Sequence, residues 1–309
     1  MASESSTLRI GTRGSALALA QANMVRDALA ARGLVCEIVP LKTTGDRITD
    51  RPLADIGGKG LFTKELEEAL LSGRIDLAVH SMKDVPVDLP AGLKIAAILP
   101  REDARDVFIS RKARTLAELP KDARVGTSSV RRQAQVLRAR PDVEIVSLRG
   151  NVDTRLRKLQ AGDYDAIILA LAGLKRLGLE DRTTTIFSLE EWLPALSQGA
   201  VGIEIRSDDR RTNEAVAPLN DLPTEIALAC ERAFQSALDG SCRSPIGGHA
   251  TFGSGVLHFR GEVIAPDGSG FADASFEQKL GGNPLREAEA LGRETGLALK
   301  PRVIDWLAR

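Results

Sequence analysis

The chain has 309 residues, enough for two or three domains with cores of their own and far more than a stapled mini-protein. Forty-two Lys and Arg balance forty-two Asp and Glu, which excludes a generic polyanion binder acting through global charge, so any electrostatic function must come from local segregation. Hydrophobic residues at 43% and charged residues at 27% fit a soluble globular chain with no membrane span, and the polar start of the sequence lacks an export signal, so a cytoplasmic location is expected.

Thr7–Thr12 reads as a strand. Ser15 can cap a following helix whose apolar positions Leu17, Ala20, Met24, Ala28 and Leu29 recur at helical spacing before Gly33. Leu34–Leu41 is a second strand that holds Cys36 as a buried small hydrophobe. The stretch 42–60 carries glycine at 45, 57, 58 and 60 and proline at 52, too irregular for one regular element, and is expected to be a mobile loop over a site. Helix returns at Leu61–Leu71 and strand at Asp76–Met82 and Leu93–Leu99, so this block predicts a mainly parallel sheet covered by helices. A second alternating block has strands near Val107–Ser110, Arg124–Gly126, Val143–Leu148 and Ala166–Ala170. Its helices Ser129–Arg138 and Asn151–Gln160 each open on a residue able to cap.

Ala200–Ile205 is strand-like and is assigned back to the first sheet. Thr224–Leu238 is a helix in which Cys230 should be buried. Thr251–Ile264 and Phe271–Glu277 alternate with period two, and Pro284–Leu297 is helical with one charged side. The expected fold class is α/β: two α/β domains laid out like periplasmic binding proteins, with a smaller C-terminal α+β domain. The boundaries are 1–103 joined by the returning segment 198–220, then a basic domain 104–197, then 221–309.

Between Arg124 and Arg182 twelve basic residues stand against seven acidic ones, a local excess of five in a neutral chain. Gly126-Thr127-Ser128-Ser129-Val130-Arg131-Arg132 joins a strand to a helix, and Leu148-Arg149-Gly150-Asn151-Val152-Asp153-Thr154-Arg155 does so again. Helix N-termini present unpaired N–H groups and a positive dipole end, and the arginine fork adds bidentate recognition of carboxylate or phosphate. A solvated helix face is the competing reading of any one such charge pair. Lys83 and Asp84, in His80-Ser81-Met82-Lys83-Asp84-Val85-Pro86, follow a strand end, where ligands of open α/β sheets sit; alone, the pair also reads as a surface turn. Cys242 lies in a glycine-dense loop beside Arg243, where positive charge favours thiolate. An odd cysteine count argues against a disulfide framework, the three histidines have no metal-site spacing, and no catalytic metal is expected. The glycine motifs lack nucleotide-binding spacing, and 4% aromatic residues offer no platform for nucleic acid. These features predict a cleft for a carboxylate-bearing or phosphate-bearing ligand flanked by a loop cysteine.

Taken together, the segments resemble the porphobilinogen deaminase (hydroxymethylbilane synthase) family over nearly the whole chain. The match is carried by Ile10–Gln21, Gly57–Glu67, Ala78–Pro86, Val125–Gln133, Leu148–Val152 and Leu171–Leu177, in order. The resemblance implies a transferase of tetrapyrrole, porphyrin and heme biosynthesis that condenses four porphobilinogen molecules head to tail, releases ammonia at each addition and hydrolyses off hydroxymethylbilane. It implies a dipyrromethane cofactor attached through Cys242 and a catalytic carboxylate at Asp84. It further implies that Arg131, Arg132, Arg149, Arg155 and Arg176 bind the carboxylates of the growing polypyrrole chain, helped by Thr127, Ser128, Ser129, Arg13, Ser15 and Lys83, with Lys59 and Phe62 at the cleft edge. A monomer is expected.

Two positions depart from the family pattern. Gly240-Ser241-Cys242 stands where the family has Gly-Gly-Cys, and Ser197-Gln198-Gly199-Ala200 where it has Gly-Gln-Gly-Ala. A requirement for positive φ at either serine would strain it. The rivals are a two-domain small-molecule binding protein, against which the cysteine-bearing domain counts, and a cysteine acyl transferase, for which no His/Asn pattern accompanies Cys242.

Overall fold

A computed structural model describes residues 7–47, 60–238, 240 and 244–307. Lys59, Ser241, Cys242 and most of the expected loop therefore lie outside the described residues. In chain order the elements begin with β1 Leu8–Arg13, α1 Ala16–Ala30, β2 Cys36–Leu41, α2 Thr44–Arg47, α3 Lys64–Leu71, β3 Leu77–Ser81 and β4 Leu93–Ile98. There follow β5 Asp106–Ser110, β6 Arg124–Gly126, α4 Val130–Ala139, β7 Glu144–Val146, α5 Val152–Gln160, β8 Ala166–Ala170, α6 Leu171–Arg176 and β9 Thr185–Ile186. The rest are β10 Val201–Arg206, α7 Arg210–Val216, α8 Leu222–Ala237, β11 Ile246–Gly253, β12 Val256–Ile264, β13 Phe271–Lys279 and α9 Pro284–Leu307.

Among the described residues these strands form three sheets, ordered β2-β1-β3-β10-β4, β7-β6-β8-β5-β9 and β11-β12-β13. The fold is α/β with a small C-terminal α+β region. The expectation of a mainly parallel sheet holds, since four strands of each five-stranded sheet run the same way and one, β10 or β5, runs against them. β1 is parallel to β2 and β3, but β10 is antiparallel to β3 and β4; likewise β6 is parallel to β7 and β8, but β5 is antiparallel to β8 and β9. Both β5 and β10 arrive directly from the other sheet, without the crossover helix that a parallel neighbour needs. Their Val/Ile runs read the same in either direction. The two chain crossings, 99–105 and 194–200, lie together, with the Glu102 N–H donating to Gly199 O.

Helix α1 packs Ala22, Val25 and Leu29 on Leu8, Ile10, Leu77 and Val79 of the first sheet. Its buried face is not the expected one, because Met24 is 43% exposed while Ala18, Gln21 and Ala22 turn inward. An alanine-rich helix offers several equally apolar stripes, and a hydrogen bond from Gln21 Nε2 to Ser81 Oγ (2.8 Å) helps select this one. On the other side α3 buries Leu66, Ala69 and Leu70 against Ile75 and Ala78, and His80 Nε2 meets Glu204 Oε2 at 2.9 Å under that layer. Cys36 is only partly buried, short of the full burial expected, whereas Cys230 is fully buried.

In the C-terminal region the alternating run Thr251–Ile264 is two strands. Ser254 (φ 51°) and Gly255 (φ 77°) form a two-residue turn between β11 and β12, the left-handed pair that matches strand twist. Helix α9 continues to Leu307, ten residues beyond the expected Leu297, with Pro301 inside. It crosses α8 so closely that a Cβ at Gly292 would lie 2.1 Å from Cys230 O.

Candidate functional site

Strand β3 ends at Ser81, and a single 3-10 turn, Met82–Asp84, follows. Met82 anchors this turn: it is buried, its N–H donates to Ala200 O (3.0 Å), and its sulfur occupies the space a Cβ at Gly202 would need. Lys83 and Asp84 are thereby held at the sheet's end. The Asp84 carboxylate is 34% exposed, with Arg13 Nη1 3.9 Å from Oδ2. The Arg13 guanidinium in turn lies 4.1 Å above the Phe62 ring, a cation–π contact. The expected Arg13, Phe62 and Asp84 thus come together. Lys83 Nζ donates to Gln198 Oε1 (3.2 Å). Burial, reinforced by repulsion from Arg132 and Arg131, pushes the Lys83 ammonium down to about 8 against the opposing pull of Asp84 and Asp106.

The second sheet supplies the cations. Ser129 Oγ caps α4 by accepting from Arg132 N, and Asn151 caps α5 by accepting from Thr154 N. Ser15 does the same for α1. Thr127 Oγ accepts from Ser129 N, while Ser128 Oγ donates to Leu148 O and accepts from Leu148 N, pinning the two strand-to-helix turns together. A serine hydroxyl that caps a helix keeps its O–H as a donor, so Ser15 and Ser129 stay competent to bind an anion.

Arg131 and Arg132, for which the resemblance implies carboxylate binding, are both buried around the fully buried Asp106. Arg131 Nη2 donates to Asp106 Oδ2 (2.8 Å), and its Nη1 donates to Gln135 Oε1 and Leu193 O. Arg132 forks onto both Asp106 oxygens (2.6 and 3.1 Å) and reaches Ile168 O. Gln198 Nε2 and Trp192 Nε1 also donate to Asp106. This convergence holds the Asp106 carboxyl far below the usual carboxylate range despite its burial. Asp106, Gln198 and Trp192 are absent from the sequence-derived site; the available signal was an acidic residue heading an apolar strand in an otherwise basic stretch.

Arg155 Nε donates to Gly150 O (2.8 Å), and burial together with Arg132 and Arg149 pushes the group down to about 10, with Asp84 opposing. Burial also lowers Arg149 and Arg176. Arg176 Nη2 donates to Gly199 O (2.5 Å), while its buried Nε has no partner. These cations crowd one another, and Arg131 Nε and Arg176 Nε are buried without a partner, the state expected of a receptor for a polyanionic ligand. Among the described residues, no group of three or more His, Cys, Asp and Glu gathers as a metal site would require.

Ser197, one of the two departures from the family pattern, has φ 62° and a buried hydroxyl without a partner, while its N–H donates to Glu231 Oε2. The left-handed region costs a residue with a Cβ about 1–2 kcal/mol. Ser197→Gly should therefore stabilise the fold by about 1 kcal/mol after the extra freedom of glycine in the unfolded chain is counted. An unchanged or lower urea midpoint would contradict this.

Comparison with known proteins bears on the whole arrangement. Residues 8–214 match the family model described as porphobilinogen deaminase, dipyrromethane cofactor binding domain, and residues 226–301 match its C-terminal domain. Porphobilinogen deaminase of Nitrobacter hamburgensis is 56% identical over 297 residues, and that of Nitrobacter winogradskyi 54%, each alignment covering 95% of this chain and 92% of the relative. Among solved structures, an ABC transporter periplasmic substrate-binding protein from Coxiella burnetii is similar at a TM-score of 0.44 and 15% identity, covering 71% of this chain and 94% of that one. No described helix is long and apolar enough to cross a membrane. With its two family regions together spanning most of its length, this chain belongs to the porphobilinogen deaminase family.

Proposed function

We propose that this chain performs the family's condensation, four porphobilinogen molecules joined head to tail into hydroxymethylbilane with loss of ammonia, using Asp84 as the catalytic carboxylate and Cys242 as the attachment point of dipyrromethane. The observation that carries the assignment of Asp84 is a partly exposed carboxylate at a strand end, beside Arg13 and in the field of Lys83 and Arg155. An ionised carboxylate only accepts hydrogen bonds, so it suits the pyrrole N–H groups and the positive charge that develops as the amine departs. The same group can exchange the protons that leave with nitrogen and from the pyrrole carbon.

The attached dipyrromethane supplies the free pyrrole position from which the chain grows. Arg132, Arg149, Arg155, Arg176 and Lys83 bind acetate and propionate groups, with the hydroxyls of Ser15, Thr127, Ser128 and Ser129 adding polar contacts and Arg13 steadying Asp84. Arg131, like Arg132, spends three of its five N–H groups inside the protein, on Asp106, Gln135 and Leu193 O, and adds its remaining donors and its charge to the same site. Phe62 shapes the cleft edge through Arg13, and the family resemblance adds Lys59 to the binding groups. The three sheets support domains at 1–103 with 198–220, 104–197 and 221–309. Each chain carries its own carboxylate, cations and cysteine, which suits a monomer, and free thiols at Cys36 and Cys230 suit the reducing cytoplasm.

Intact mass tests this reading. Protein purified from cells that make porphobilinogen should carry two pyrrole units, gain single units when substrate is added, and lose the modification in Cys242→Ser. An unmodified chain with normal turnover would overturn it. The Lys83 ammonium also gives the reaction a pH dependence. As pH rises through about 8 the cation is lost while the arginines keep theirs, so KM should climb between about pH 7 and about pH 9. A flat KM over that interval would remove Lys83 from carboxylate binding.

A further inference from the structure

Helix α8 belongs to the C-terminal region, yet one of its faces lies against the turn that carries Asp84. Leu228 is buried with Met82 and Val85. One helical turn further on, at the i,i+4 position of the same face, Arg232 reaches the chain immediately after Asp84. Its Nη1 donates to Val85 O (3.1 Å), and its Nη2 donates to Pro86 O (2.6 Å) and Val87 O (3.3 Å). Three consecutive carbonyls thus converge on one guanidinium. A planar fork suits such an array, whereas a single ammonium cannot span it with comparable order. The site is partly covered, and burial pushes Arg232 down to about 10 against the pull of Asp88, so the group remains a cation at neutral pH.

We propose that Arg232 is a positioning residue for the condensation: by gathering the carbonyls of Val85, Pro86 and Val87 it fixes the turn that sets the Asp84 carboxylate beside Arg13. This rests on the reading of Asp84 as the catalytic carboxylate. Proline at 86 stiffens the clamped segment by fixing its own φ and removing a donor, so the carbonyls are presented in one arrangement. The clamp also joins two parts of the chain that the chemistry needs together, because Cys242 follows α8 within a few residues in sequence while the turn belongs to the first sheet.

The test compares holoenzyme carrying Arg232→Gln, Arg232→Lys and Asp84→Ala, each shown by mass to hold its cofactor, in single-turnover addition of porphobilinogen well below the melting point. Displacement of a reacting group by about 1 Å costs up to about a hundredfold. Arg232→Gln should therefore lower the rate of addition by about tenfold to a hundredfold with KM changed much less, and Arg232→Lys should fall between it and the parent. In an Asp84→Ala background, Arg232→Gln should bring no further loss. A fall in melting temperature with the rate of addition per folded molecule unchanged, in either Arg232 variant, would make Arg232 a packing residue and overturn the proposal. If Arg232→Gln does not fold, Arg232→Lys alone decides between these outcomes. Full turnover by Asp84→Ala would sink the reading of Asp84 and this proposal with it; an inert Asp84→Ala beside a fully active Arg232→Gln would sink only the latter.

Discussion

Asp84→Ala should lower the rate of porphobilinogen addition by about two to four powers of ten, the range associated with a positioned acid–base group and a preorganised charge. The loss should fall on kcat. The carboxylate stands among cations, with Arg13 3.9 Å away and Lys83 and Arg155 in its field, so its removal leaves the local charge more positive and the pull on a polycarboxylate ligand undiminished. KM should hold or fall. Asp84 also supports the Lys83 ammonium, so the alkaline rise in KM should begin at lower pH in the variant. Steady-state rates across pH, with covalent complexes followed by mass, separate these effects. A variant with near-parental kcat, or one whose loss lies wholly in KM, would place Asp84 among the binding groups only.

The second large effect is on stability. Asp106→Asn should destabilise the protein by about 3–5 kcal/mol, because it leaves two buried guanidinium groups facing a neutral amide. Arg131, Arg132, Gln198 and Trp192 all donate to this carboxylate, and an amide offers one acceptor oxygen where the carboxylate offers two. Lys83 would be affected in turn, since its partner is Gln198. The folded-state value of Asp106 lies below its unfolded value, so the stability it contributes is complete above the unfolded value and is lost only as pH falls through the folded one. Urea midpoints at neutral pH should show the full difference between parent and variant. A change under about 1 kcal/mol would mean that the arginines find other partners.

What the sequence reveals here depends on how local the governing physics is. Ser15, Ser129 and Asn151 cap the helices they precede because capping is decided within four residues. Asp84 and Lys83 follow a strand end for a similarly local reason. The direction of β5 and β10 was not legible, since it depends on which sheet each strand comes from. Nor was the burial of Arg131 and Arg132, whose partner Asp106 lies more than twenty residues upstream, beyond any periodic pattern. Ser197 shows an intermediate case: its departure from the family pattern was visible in sequence, and φ 62° supplies the strain foreseen for it.

The position of β10 in the first sheet has a consequence for how the chain is made. It lies between β3 and β4, bonded to both, although it is synthesised about a hundred residues after them. While the ribosome is still extending the second sheet, β3 and β4 each have an open edge where β10 will go, and buried Val79, His80 and Ala97 lack their central neighbour. Such non-local pairing is slow to form and exposes strand edges meanwhile. The N-terminal lobe therefore cannot mature ahead of its successor; its sheet closes only when residues 201–206 emerge, after every strand of the second sheet has been made.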